Sequence, residues 1–271
     1  MKKIKENMKF FVAELFYFLV KELRSLLFAL SFIFVLFISN YISIPGLYRY
    51  DFLFIGAIII QLLLLIFKLE TKDEMKTIFL FHIIGLCLEI FKTSPSVGSW
   101  SYPEAGYFKV FNVPLYSGFM YAAVGSYIAY AWKMFKLRLT DHPSYRLSIL
   151  LCSLIYLNFF TNHFIPDMRW ILFVFIFIVY FKTMVHFTIR IKEYKIPLVL
   201  SFILIGFFVW VAENIATYLG AWKYPGQLHE WHVVSFNKIT SWFLLVIICF
   251  IIVAYLKHFK RKLEVRDRMD K

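Results

Sequence analysis

The sequence predicts an all-α integral membrane protein of about eight transmembrane helices, arranged as two tandem four-helix repeats in parallel orientation with both termini cytoplasmic. Three observations carry this expectation. Hydrophobic residues make up 61% of the 271 and charged residues only 17%, more apolar surface than a soluble chain of this length can bury. Eight apolar runs are each long enough for a bilayer core of roughly 30 Å. A polar and aromatic motif occurs twice, once in each half.

Taken in order, residues 1–24 are expected to form an uncleaved helix at the cytoplasmic interface, because Glu14, Lys21 and Glu22 interrupt the apolar stretch and no cleavage site follows. Spans are expected near 25–43, 51–68, 76–93 and 114–132 within a first repeat, 25–135. Those near 147–163, 169–186, 197–216 and 239–256 fall in a second, 136–256, and a basic tail covers 257–271.

Orientation follows from the cations. With the amino terminus inside, 24 of the 30 Lys and Arg residues fall on the cytoplasmic side, leaving Arg49, Lys92, Lys109, Arg169, Lys223 and Lys238 opposite. The net charge of +13 is therefore explained by anionic lipid headgroups, and no nucleic-acid partner is expected. Cys87, Cys152 and Cys249 lie inside apolar runs, so neither a disulfide framework nor a cysteine metal site is indicated.

The repeat is read from paired positions. Glu89, Thr93, Gly98, Trp100, Tyr102 and Pro103 match Glu213, Thr217, Gly220, Trp222, Tyr224 and Pro225, both of the form E-x-x-x-T, a gap, then G-x-W-x-Y-P. Phe111-Asn112 matches Phe236-Asn237, and Asn40, Pro45 and Arg49 match Asn162, Pro166 and Arg169. Four spans per unit is an even number, so both copies insert the same way round, with a shared site expected at their interface.

Glu89 and Glu213 are the candidate catalytic groups, since a carboxyl near the end of a span is costly to bury and suits acid/base work. The alternative is that each caps its neighbouring loop. Lys92 is placed to pair with Glu89, which leaves Glu213 as the better candidate acid. Candidate substrate-binding residues are Thr93 and Thr217 at i+4 from each Glu, Trp100, Tyr102, Trp222 and Tyr224, Asn112 and Asn237, and Arg49 and Arg169. The rings either form an interfacial belt or line a cavity where they stabilise a cation. Each Arg binds an anionic headgroup or pairs with a Glu. His229, Glu230 and His232 are spaced too loosely to predict a metal site, and no cofactor motif is present.

Through the segments Gly98 to Pro103 and Gly220 to Pro225 the chain resembles the YoaT-like family of bacterial membrane proteins over nearly its full length, which implies the bacterial plasma (inner) membrane and no particular activity. A second likeness, through Glu89, Gly98, Trp100, Tyr102 and Val113-Pro114-Leu115, is to polytopic carotenoid cyclases and hydratases; Lys238-Ile239 replaces Val-Pro in the second copy. Three functions are consistent with these residues. The leading one is an enzyme doing acid/base chemistry on an apolar lipid or isoprenoid in a cavity near the outer leaflet; the second, an alternative, is a proton-coupled small-molecule carrier, and the third, also an alternative, a non-catalytic membrane sensor or assembly partner. Solid packing around the two Glu residues, with no cavity between the halves, would favour the third.

Overall fold

The structure is a computed structural model that describes residues 2–269. Among the described residues the chain forms nine α-helices: α1 (Lys2–Ser25), α2 (Leu27–Ile38), α3 (Arg49–Ile66), α4 (Lys72–Lys92), α5 (Ser117–Met134), α6 (Tyr145–Thr161), α7 (Arg169–Tyr180), α8 (Leu198–Tyr218) and α9 (Lys238–Met269). Three are long and apolar enough to cross a membrane: α3, α8 and the Lys238–His258 portion of α9. Met1, Asp270 and Lys271, which belong to the expected end segments, lie outside the described residues. From 257 to 269 the backbone simply continues α9.

The all-α expectation is corrected at the connections. Strands β1 (Lys109–Val110) and β2 (Val113–Pro114) make a short antiparallel hairpin ahead of α5. Strands β3 (Arg138–Thr140), β4 (Met184–Thr188) and β5 (Glu193–Pro197) form an antiparallel sheet in the order β3-β4-β5. The expected sixth span, 169–186, was too long for this reason. Its helix stops at Tyr180, Thr183 turns the chain by donating its hydroxyl to Asp141 O at 2.9 Å, and β-branched Val185 and Thr188 continue as strand. Both α2 and α7 have 12 residues, a rise of about 18 Å, short of the hydrocarbon thickness.

Helices α1 and α2 are joined with almost no interruption. Leu26 N donates to Glu22 O at 2.9 Å and Leu30 N to Leu26 O at 2.8 Å, so the helical ladder carries through the break. Along α1 the buried Glu14 accepts from Tyr194 of β5 and Glu22 from Tyr127 of α5, each at 3.1 Å, while Lys21 caps Thr188 O at 2.8 Å. The polar side of α1 thus docks on protein, and Phe10, Phe11, Leu15, Phe16 and Leu19 remain exposed.

Two helices form the centre. Every residue of α9 from Phe243 to Ile251 is buried, as expected of a helix apolar all round. Helix α5 buries small residues instead. Gly118 and Gly125 face His82 and Phe81 of α4 so closely that an added Cβ would lie 2.5 Å and 2.1 Å from their rings, so these two α4 rings pack directly on the α5 backbone. The halves use corresponding packing pairs: α2 meets α3 and α5 as α6 meets α7 and α9, α4 meets α5 as α8 meets α9, and across the middle α2 touches α8 and α4 touches α6.

Candidate functional site

Each Glu sits at the carboxyl end of a long helix, and the motif glycine turns the chain back over it. Gly98 and Gly220 have φ of +55° and +75°, in the left-handed region that L side chains enter only at a cost. After α8 the turn is a Schellman motif, with Ala221 N donating to Ala216 O at 2.9 Å and Gly220 N to Thr217 O at 3.0 Å. After α4 an extra turn over Ser94–Gly98 precedes the reversal, closed by Gly98 N to Ser94 O at 2.9 Å. The W-x-Y segments then run toward each other. Ser101 N donates to Lys223 O at 2.9 Å and Lys223 N to Ser101 O at 3.0 Å. The central residues of the two motifs therefore pair reciprocally.

This brings aromatic donors onto both carboxylates. Glu89 Oε2 accepts from Trp100 Nε1 and from Tyr102 OH, and Oε1 from Tyr121 OH of α5, all at 2.7 Å. Glu213 Oε1 accepts from Tyr224 OH and Oε2 from Trp242 Nε1 of α9, both at 2.6 Å. The two residues are 2% and 3% exposed, so each buried carboxylate depends on these hydrogen bonds. Burial first, and the adjacent carboxylate second, hold the Tyr102 and Tyr224 phenols well above the ordinary tyrosine value, which keeps both as O–H donors. Trp222 is buried beside the Tyr224 hydroxyl and packed in the core with Tyr102 and Tyr116, while Trp242 supplies the indole N–H to Glu213.

Several expected contacts are corrected. Lys92 does not pair with Glu89: its ammonium reaches Asn162 Oδ1 at 3.2 Å and His163 Nε2 at 2.7 Å, because the carboxylate points into the bundle toward α5. Arg49 pairs with Glu104 at 2.6 Å and donates to Leu219 O at 2.5 Å and Gly220 O at 3.1 Å, so it caps α8 instead of meeting a motif Glu. Arg169 pairs with Asp167 at 3.0 Å and donates to Thr240 Oγ1 at 2.7 Å. Thr93 and Thr217 return their hydroxyls to the carbonyls of Glu89 and Glu213, at 2.8 Å and 2.9 Å, and finish the helices. Asn112 and Asn237 are exposed, each one residue ahead of β2 and α9 respectively.

Three residues outside the motif complete the site. Tyr121 and Trp242 each come from a central helix, and Lys238 opens α9. Its ammonium lies 4.6 Å from the Tyr224 ring centroid and 5.4 Å from that of Trp100. The signals for Lys238 in the sequence are its place among the six cations set apart from the rest and its place opposite Val113 after the paired Phe-Asn. Tyr121 and Trp242 give none, being single aromatics in apolar runs. Tyr116 also bridges the halves through a hydrogen bond to Ala221 O. Among the described residues no group of three His, Cys, Asp or Glu could hold a metal ion.

Two of the clefts lined by described residues lie away from the motif, and neither includes Glu89 or Glu213. One, of about 280 Å³, lies at the α2–α3 turn beside Arg49; the other, of about 380 Å³, is an apolar groove between α6 and α7. Val113 and Pro114 are buried in β2.

Residues 14–250 match the family described as protein of unknown function DUF817. The chain belongs to this family. Uncharacterized protein YoaT of Bacillus subtilis (strain 168) is 52% identical to it over 233 residues, covering 86% of this chain and 88% of the relative. The DUF817 match spans both copies of the motif and all the carboxylate donors described above. No solved structure matches.

Proposed function

We propose that this DUF817 protein is a multi-pass protein of the bacterial plasma membrane, with about eight spans in two parallel four-helix units and both termini cytoplasmic. It serves there as a non-catalytic sensor or assembly partner among membrane lipids, and its paired Glu motifs lock the two units together at the non-cytoplasmic side. The observation that carries this reading is the reciprocal Ser101–Lys223 pairing, flanked by two buried carboxylates whose four oxygens all accept hydrogen bonds from the chain's own aromatic donors.

A general acid or a carrier carboxylate must meet its substrate, and these carboxylates meet Trp and Tyr side chains instead. The corresponding packing pairs in the two halves support the tandem arrangement. The concentration of Lys and Arg at one end supports the orientation. The short helices α2 and α7 are accommodated in this reading by the α1–α2 continuation and by a sheet at the cytoplasmic end.

The test is an untargeted comparison of membrane lipids and isoprenoids among cells with the wild-type gene, the deletion, Glu89→Gln and Glu213→Gln. The lock reading expects both variants, where they accumulate normally, to leave the lipid profile at wild type. A profile in which Glu213→Gln reproduces a change caused by the deletion, with normal protein levels, would restore acid/base catalysis on a lipid or isoprenoid.

A further inference from the structure

Lys238 is a cation in an unfavourable place. As the first residue of α9 it stands at the positive end of a helix dipole, and it is repelled by Arg169. The first copy has Val113 at this point, so the fold of the unit does not require a cation here.

What surrounds its ammonium is a box. Tyr224 and Trp100 present their rings to Nζ, one from each motif loop, and meet each other at 6.1 Å with an interplanar angle of 75°. Glu213 and, less strongly, Glu89 attract the charge. Trp100, Tyr224 and Lys238 are all half-buried, so the box is partly desolvated and has an open side. Rings at these distances backed by carboxylates are the elements from which proteins build ammonium sites.

We infer that Trp100, Tyr224, Glu89 and Glu213 form a binding site for a primary alkylammonium group, and that the chain keeps it filled with its own Lys238. The inference rests on the reading that the motif loops lock the two halves: Lys238 is then the occupant that joins α9 to the loop of the other half.

The site can be emptied and refilled. Lys238→Ala in the full-length protein, in phosphatidylglycerol nanodiscs, removes the atoms that free propylammonium would replace. The melting temperature is expected to fall by about 4 °C. Propylammonium chloride should restore it saturably, while propanol or sodium chloride at equal concentration does not and the wild type stays unmoved. Equal shifts in wild type and variant, or no restoration, would overturn the assignment.

Should Lys238→Ala not accumulate, Lys238→Met and Lys238→Arg decide the matter. A loss with Met that is larger than the loss with Arg, which keeps the charge but not the ammonium shape, supports the site, and a Met variant as stable as wild type overturns it. The loss with Met should also shrink in a Trp100→Leu background, since the nearer Tyr224 ring remains. Full additivity there counts against the box. A negative result at Lys238 leaves the lock reading standing, because that reading is tested at Glu89 and Glu213.

Discussion

The two motif carboxylates differ in how many donors they hold. Glu89 has three and Glu213 two, and an amide in place of either carboxylate turns an acceptor into a donor facing O–H or N–H groups. Glu89→Gln should therefore destabilise the fold by about 2–3 kcal/mol and Glu213→Gln by about 1–2 kcal/mol. Thermal unfolding of the purified variants checks this order, and equal or absent losses would contradict it. Another buried carboxylate lies at the opposite end of the first half. Glu70, 2% exposed between α3 and α4, accepts from Gln61 Nε2 and, at 3.2 Å, from Ser126 Oγ. Burial raises its pKa and Glu74 adds to the rise, against the pull of the two hydrogen bonds. The folded state then holds this proton more tightly than the unfolded chain. Its stabilising contribution is present below the unfolded value, about 4.3, and is lost as pH rises through the folded one. Glu70→Gln should flatten the fall in melting temperature above about pH 4, and an unchanged slope would refute the assignment. At this scale the sequence displayed Glu89, Glu213, Trp100, Tyr102 and Tyr224 because they recur. Tyr121, Trp242 and Glu70 stayed hidden because each occurs once and its role depends on a neighbour far along the chain.

Helix ends and close approaches decide the elements. Gly125 allows α5 to meet the fully packed Phe81 ring, which has nowhere to move. Gly125→Ala should cost about 1–3 kcal/mol, read as a lowered midpoint of unfolding. Gly220 has a different reason. Its φ of +75° ends α8, and a Cβ there would also lie 3.4 Å from the Arg49 guanidinium. Gly220→Ala should cost about 1–2 kcal/mol from backbone conformation alone, and Arg49→Lys should also destabilise, since one ammonium cannot cap two carbonyls while holding Glu104. A wild-type melting temperature in either variant would remove the cap from the account. Most helices were legible from apolar runs. The end of α7 was not, because Met184, Val185 and Phe187 carry apolar residues on past Lys182 and Thr183, and only the pairing of Val185 with Leu139 and Ile196 makes that stretch a strand.

For the whole molecule, the reciprocal Ser101–Lys223 pair places two backbones in the closely hydrogen-bonded register of an antiparallel ladder. Their Cα atoms are then about 5.5 Å apart, within the span of a disulfide. Ser101→Cys with Lys223→Cys should cross-link under oxidising conditions. If a protease site is inserted at Asp141–Pro143, between the halves, the cleaved protein should still migrate as one chain on a non-reducing gel. Two separate fragments under those conditions would contradict a lock between the motif loops.

By itself the sequence determined the apolar character of the helices, the excess of Lys and Arg over Asp and Glu and the duplicated motif, since each is a property of composition or of spacing along the chain. The tertiary structure alone decided what the motif does with its carboxylates. Whether Glu89 faces Lys92, a cavity or Tyr121 depends on how α4 is rotated against α5, and that rotation is set by Gly118 and Gly125 meeting His82 and Phe81. The partnership of Trp100 with Lys238 likewise depends on two loops that are distant in sequence and meet only after both halves have packed.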